Sequence, residues 1–132
     1  MKSVLLLEDE SALLAMYTTF LECFGYKVCG AENVAEATKL WAATKSDFDL
    51  IVSDCDTGIE NEWYDFLLEV VNIRNIDTPL IFMSGREGIG DDSFENKAKK
   101  LGAIASMMKP FTPSDLKNHC ENALGAQMAT SV

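Results

Sequence analysis

Positive charge is scarce in this sequence, with 11 Lys and Arg against 21 Asp and Glu and a formal charge of -10. Phosphate backbones and anionic headgroups are held by clusters of Lys and Arg, so neither nucleic acid nor a membrane surface is expected as a partner, and cations fit better. Long hydrophobic runs are missing too. The opening MKSVLLLEDE has one lysine and a short apolar stretch that meets acids at once, too short for a signal peptide or a membrane span. A soluble, cytoplasmic protein is expected. The four cysteines, Cys23, Cys29, Cys55 and Cys120, show no C-x-x-C and no zinc-type spacing, and read as reduced thiols and small packed hydrophobes. Internal repeats and low-complexity segments are absent. Histidine occurs once, as His119 in the expected last helix, where a surface or interface role is expected.

What is present is the apolar content of one ordinary domain, 48% of 132 residues. Short apolar runs alternate with stretches of helical period, the pattern of strands joined by helical crossovers in a mostly parallel sheet. The runs are Val4 to Leu7, Tyr26 to Cys29, Leu50 to Ser53, Leu80 to Met83 and, more weakly, Ala105 to Met108. Leu13, Tyr17, Phe20, Leu21 and Phe24 predict a first helix, with Ser11 as its cap and Gly25 as its stop. A second is expected from Asn33, with Glu36 at the capping-box position, to about Ala43. Others are expected over about Asn61 to Arg74, with Trp63, Phe66, Leu67, Val70 and Val71 as core, and over about Ser93 to Leu101, where Lys97 to Lys100 reads as a solvated face. The last starts at Thr112, with Pro113 at the first helical position and Asp115 in the first turn. The domain is expected to cover residues 1–125, with 126–132 a flexible polar tail.

Ligands of an open parallel sheet collect outside the carboxyl ends of its strands. Glu8 and Asp9 end the first expected strand, Asp54 the third, Ser84 the fourth and Lys109 the fifth. Carboxylates gathered in one crevice repel each other by roughly 4 kcal/mol per pair at about 4 Å and an effective dielectric near 20. A divalent cation relieves this, and with only hard oxygen ligands magnesium is the physiological candidate. Taken singly, each of these residues reads as a solvated strand-end acid, a turn serine or a surface lysine. Their order on four strand ends gives the set its weight.

VLLLEDE, DLIVSD, PLIFMSG and LGAIASMMKPF, in this order, resemble the strand motifs of response-regulator receiver domains, and the resemblance runs from about Lys2 to Leu124. It implies a flavodoxin-like, doubly wound α/β fold with a five-stranded parallel sheet in the order 2-1-3-4-5 and five helices. It implies Asp54 as phosphoacceptor, and Glu8, Asp9, Asp54 and the backbone carbonyl of Asp56 as magnesium ligands. Ser84 takes the switch hydroxyl role, Lys109 that of phosphate counter-ion, and the Lys109–Pro110 bond is expected to be cis. The implied partners are a histidine kinase or histidine phosphotransfer protein and a downstream protein target, with no turnover of an external substrate.

Departures from the family pattern bear on output. The loop CDTGIENEW after Asp54 lacks the usual proline and glycine, and the stretch from Ser84 to Gly102 is about three residues longer than usual. Asp56 and Arg86 stand where the family tunes phosphate lifetime. Ser106 replaces the switch aromatic, which turns attention to the segment Gly85 to Asp92 as an alternative switch. Two other readings compete. Asp54-Cys55-Asp56-Thr57 matches the D-x-D-x-T motif of haloacid dehalogenase-like, magnesium-dependent phosphatases. A receiver-like module that binds without taking phosphate is the other.

Overall fold

The computed structural model describes residues 1–44, 48–54, 65–67, 78–84 and 102–130, with positions 44, 84 and 126–130 described by backbone alone. Within them run β1 (Ser3–Leu7), α1 (Ser11–Cys23), β2 (Lys27–Ala31), α2 (Val34–Thr44), β3 (Leu50–Asp54), β4 (Leu80–Ser84), β5 (Ala105–Met108) and a C-terminal helix, here α3 (Pro113–Thr130). The five strands pair in parallel in the order β2-β1-β3-β4-β5, the flavodoxin-like topology expected. Of the two helices expected between β3 and β5, residues 65–67 form a helical turn, and the rest lie outside the described residues.

Side chains alternate between the two faces of a strand, and here both faces are covered. Val4, Leu6, Leu50, Val52, Ile81 and Met83 pack on one side with Tyr17 and Leu21 of α1 and Leu116, Cys120 and Ala123 of α3. Leu5, Leu7, Ile51, Leu80 and Phe82 face the other side with Ala37 and Trp41 of α2 and with Phe66 and Leu67. This explains why the strands read as continuous apolar runs instead of alternating ones. Each fully buried Leu or Ile contributes about 1.5–3 kcal/mol relative to an exposed one. No helix among the described residues is long and apolar enough to cross a membrane.

Local chemistry sets most helix ends. At the end of α1, Gly25 adopts φ +96 and its N–H donates to the Glu22 carbonyl, while the Tyr26 N–H donates to that of Leu21. This paired closure needs the left-handed backbone that glycine adopts without strain. It also commits the Tyr26 N–H, so β2 begins at Lys27, one residue later than the apolar run suggests. The start of α1 differs from expectation. Glu10 occupies the cap position without a side-chain cap bond, and Ser11 is already helical. The Glu8 carboxylate accepts the Glu10 N–H at 3.1 Å, which tightens the turn from β1 and leaves no capping role for Ser11.

The caps of α2 and α3 are those expected. Asn33 Oδ1 accepts the Glu36 N–H at 2.9 Å. Thr112 Oγ1 accepts the Asp115 N–H at 3.0 Å, and Asp115 Oδ2 accepts the Thr112 N–H at 3.1 Å. Helix α3 passes through Gly125 and continues to Thr130, so positions 126–130 of the expected tail are helical. A helical glycine costs about 1 kcal/mol, and the good helix formers Ala126, Gln127 and Met128 that follow it allow the helix to continue.

Candidate functional site

The carboxyl ends of β1 and β3 lie side by side at the centre of the sheet, with Leu7 opposite Ser53. The chain leaves β1 toward β2 on one side, while β3 and β4 continue on the other. A crevice opens at such a reversal of strand order. Glu8 and Asp54, the next residue on each strand, therefore flank the crevice. Both are buried, at 1% and 2% exposure. The Glu8 N–H donates to the Ala31 carbonyl at 3.1 Å, tying the end of β1 to β2. The Ser53 hydroxyl donates to the Asp54 carbonyl at 2.9 Å. Asp9 stands exposed beside them, and one carboxylate oxygen from each of Glu8, Asp9 and Asp54 lies within 4.8 Å of the others.

Lys109 reaches this cluster from the end of β5. Its Nζ donates to Glu8 Oε1 at 2.5 Å and pairs with Asp54 Oδ2 at 3.3 Å, with 14% of its side chain exposed. Burying a charged carboxylate costs several kcal/mol unless it is paired, and this one ammonium serves two. Burial opposes the charge on Lys109 most strongly, but the Glu8 hydrogen bond and the charges of Asp54 and Glu8 outweigh it, so its pKa is raised and the ammonium stays protonated at neutral pH. Three carboxylates against one ammonium leave the cluster negative. All the donors on the carboxylates are hard oxygens, and the set fits a divalent cation of the magnesium type.

An aromatic wall stands behind Lys109. The Tyr17 ring of α1 lies with its centroid 5.8 Å from Nζ, and it stacks on the Phe111 ring at 5.0 Å and 25°. Burial, and then the fields of Glu8 and Asp54 against that of Lys109, raise the Tyr17 pKa. Helical spacing puts Tyr17 in the first helix, where it is buried, but nothing in the sequence aligns position 17 with position 109. Only the packing of α1 against the segment that follows β5 does that.

Of the residues singled out in the sequence, the fold brings Glu8, Asp9, Asp54 and Lys109 together. The backbone of Ser84 ends β4, with Met108 opposite on β5. Ser106 is exposed on β5, opposite Phe82. The Lys109–Pro110 bond is cis. Asp56, Gly85, Arg86 and the segment to Asp92 lie outside the described residues, as does Cys55.

Comparison with known proteins agrees with this geometry. The chain is 30% identical over 115 residues to the two-component response regulator ARR10 of Arabidopsis thaliana, covering 87% of this chain and 20% of that protein. It is 29% identical over 124 residues to the response regulator SaeR of Staphylococcus aureus, covering 94% of this chain and 51% of that protein. It thus spans about a fifth and about half of these relatives. Among solved structures it is similar to a response regulator receiver domain protein of Clostridium thermocellum, with a TM-score of 0.82, 25% identity and coverage of 98% of this chain and 99% of that one. It is also similar to the chemotaxis protein CheY4 of Vibrio cholerae, with a TM-score of 0.79, 26% identity and coverage of 94% and 99%. Asp54 ends the third strand, and these relatives do not favour the phosphatase alternative. The model of the response regulator receiver domain matches residues 4–121, and the chain belongs to that family.

Proposed function

We propose that this chain works in two-component signalling by accepting a phosphoryl group on Asp54 from a phosphohistidine of a kinase or phosphotransfer protein. The observation that carries this reading is the meeting of Glu8, Asp9 and Asp54 with Lys109 at the carboxyl edge of the sheet. An Asp54 carboxylate oxygen attacks phosphorus, the P–N bond of the donor breaks, and the imidazole leaves and takes up a proton from solvent. The product is an acyl phosphate on Asp54.

Lys109, already 3.3 Å from Asp54 Oδ2, is within reach of an oxygen of the incoming group and can hold its charge. Ser84, whose backbone ends the adjacent strand, would take the switch hydroxyl role that the family resemblance implies. Glu8 and Asp9, with Asp54 and the Asp56 carbonyl, would hold magnesium. Bound there, the metal supplies charge neutralisation and orientation of the phosphoryl oxygens. The chain's own chemistry ends at the modified aspartate, so no turnover of an external substrate is expected. A downstream protein reads the modified state; with Ser106 in place of the switch aromatic, the segment Gly85 to Asp92 is the alternative switch, and Asp56 and Arg86 tune the lifetime.

Mass analysis after incubation with acetyl phosphate tests the reading. One acid-labile phosphoryl adduct is expected on Asp54, requiring a divalent cation and lost in Asp54→Asn. Labelling at Asp9 or Asp56 instead, or full labelling in excess chelator, would sink the assignment.

A further inference from the structure

We propose that Tyr17, on α1 and outside the acidic cluster, is a positioning residue for Asp54 chemistry: its ring face holds the Lys109 ammonium in line with Asp54. The inference rests on the reading of Asp54 as phosphoacceptor. It starts from the problem that Lys109 has. A lysine side chain is a flexible four-carbon stem bearing a point charge, and it has many rotamers from which that charge misses the crevice. In this molecule Nζ reaches Glu8 and Asp54 from a strand that is not adjacent to either of theirs. Ion pairs alone do not determine the side from which the ammonium approaches.

The Tyr17 ring supplies that direction. Its centroid is 5.8 Å from Nζ, within the range in which a cation is attracted by the negative face of an aromatic ring, and the attraction is stronger where water is excluded. Tyr17 itself is 4% exposed. It is held on its other contact by Phe111, two residues beyond Lys109, through a stack at 5.0 Å and 25°. The ring is thus fixed from the same segment that carries the lysine. Ammonium, ring and carboxylates form one arrangement, with the cation between an aromatic wall and two acids.

The test replaces Tyr17 with Phe and with a series of progressively fluorinated phenylalanines, which drain the ring's negative face while keeping its packing. Rates of Asp54 labelling by acetyl phosphate and magnesium are measured in the wild-type background and in Lys109→Met. The Phe variant is expected to label near the wild-type rate, and the rate is expected to fall stepwise with fluorination, to roughly a tenth for the most fluorinated ring, the change that 1.36 kcal/mol produces. In Lys109→Met the series is expected to be flat, because a residue acting through Lys109 has nothing left to act on. A flat series with Lys109 present, or an equal decline without it, overturns the proposal.

A second readout does not depend on phosphorylation. The Lys109 Hε protons should be shifted upfield by the ring current in the wild type and in Tyr17→Phe, and should lose that shift in Tyr17→Leu. An unshifted wild-type signal also overturns the proposal. If the wild type takes no label, the phosphoacceptor reading falls and this signal alone decides the placement of Lys109.

Discussion

At the scale of single residues, the least expected feature is the sharing of Glu8. The sequence pairs Glu8 with a metal and Lys109 with a phosphate, yet in the folded chain Lys109 donates to Glu8 and pairs with Asp54. An ammonium and a divalent cation at one cluster repel each other, by roughly 4 kcal/mol per unit-charge pair at about 4 Å and an effective dielectric near 20. Solvent and salt screen part of this. Lys109→Met is therefore predicted to bind magnesium about tenfold more tightly than the wild type in a calorimetric titration. The same variant leaves two buried carboxylates without their cation, so its melting temperature without metal should fall, and magnesium should restore more of it than in the wild type. Equal or weaker magnesium affinity would show that the ammonium does not compete for the site.

At the scale of elements, the helix ends were legible where a side chain closes on its own backbone within a few residues. Asn33 with Glu36 and Thr112 with Asp115 are such cases, and both caps form. Thr112→Ala is predicted to lower stability by about 1 kcal/mol, the usual worth of such a cap. Urea unfolding measures it, and a loss no larger than that of an exposed control such as Thr19→Ala would contradict the role. Ser11 looked equally suitable as a cap and is not one. The Glu8 carboxylate, oriented by the site, takes the Glu10 N–H and resets the turn. A functional residue thus overrides a local signal. The shift of β2 to Lys27 has a similar origin, in the closure at Gly25 that consumes the Tyr26 N–H.

At the scale of the whole molecule, the two-sided core makes stability depend on pH in the alkaline range. Burial, with a smaller contribution from Glu121, pushes the Cys120 thiol from 9.0 up to about 12. Tyr17 and Tyr26 are raised above 10.0 by burial first, and Lys109 is raised above 10.5 because burial, which opposes its charge, is outweighed by Glu8 and Asp54. All four groups hold their protons more tightly folded than unfolded. Their contribution is complete below the unfolded values and is lost as pH climbs through about 9 to 12, because unfolding then releases protons. The urea midpoint should fall over that range, and less steeply in Cys120→Ala, whatever that variant's stability at pH 8. Identical slopes for the two proteins would count against a thiol held protonated by the core. The exposed Cys23, by contrast, should react with thiol reagents in the native state while Cys120 is protected.

Composition, period and turn chemistry determined by themselves that this chain builds a parallel α/β sheet, because apolar runs of strand length alternating with helical stripes have few other ways to bury both. They also determined which strand ends carry acids, since Glu8, Asp9 and Asp54 stand directly at the ends of apolar runs in the sequence. What the tertiary structure alone decided is which of those ends meet. That Lys109 crosses from the end of β5 to Glu8, 101 positions away, and that Tyr17 of α1 faces the same ammonium, follow from strand order and the packing of α1 against the segment that follows β5. Local sequence cannot encode such contacts, because the free energy that forms them comes from burying the whole core and not from the residues that touch.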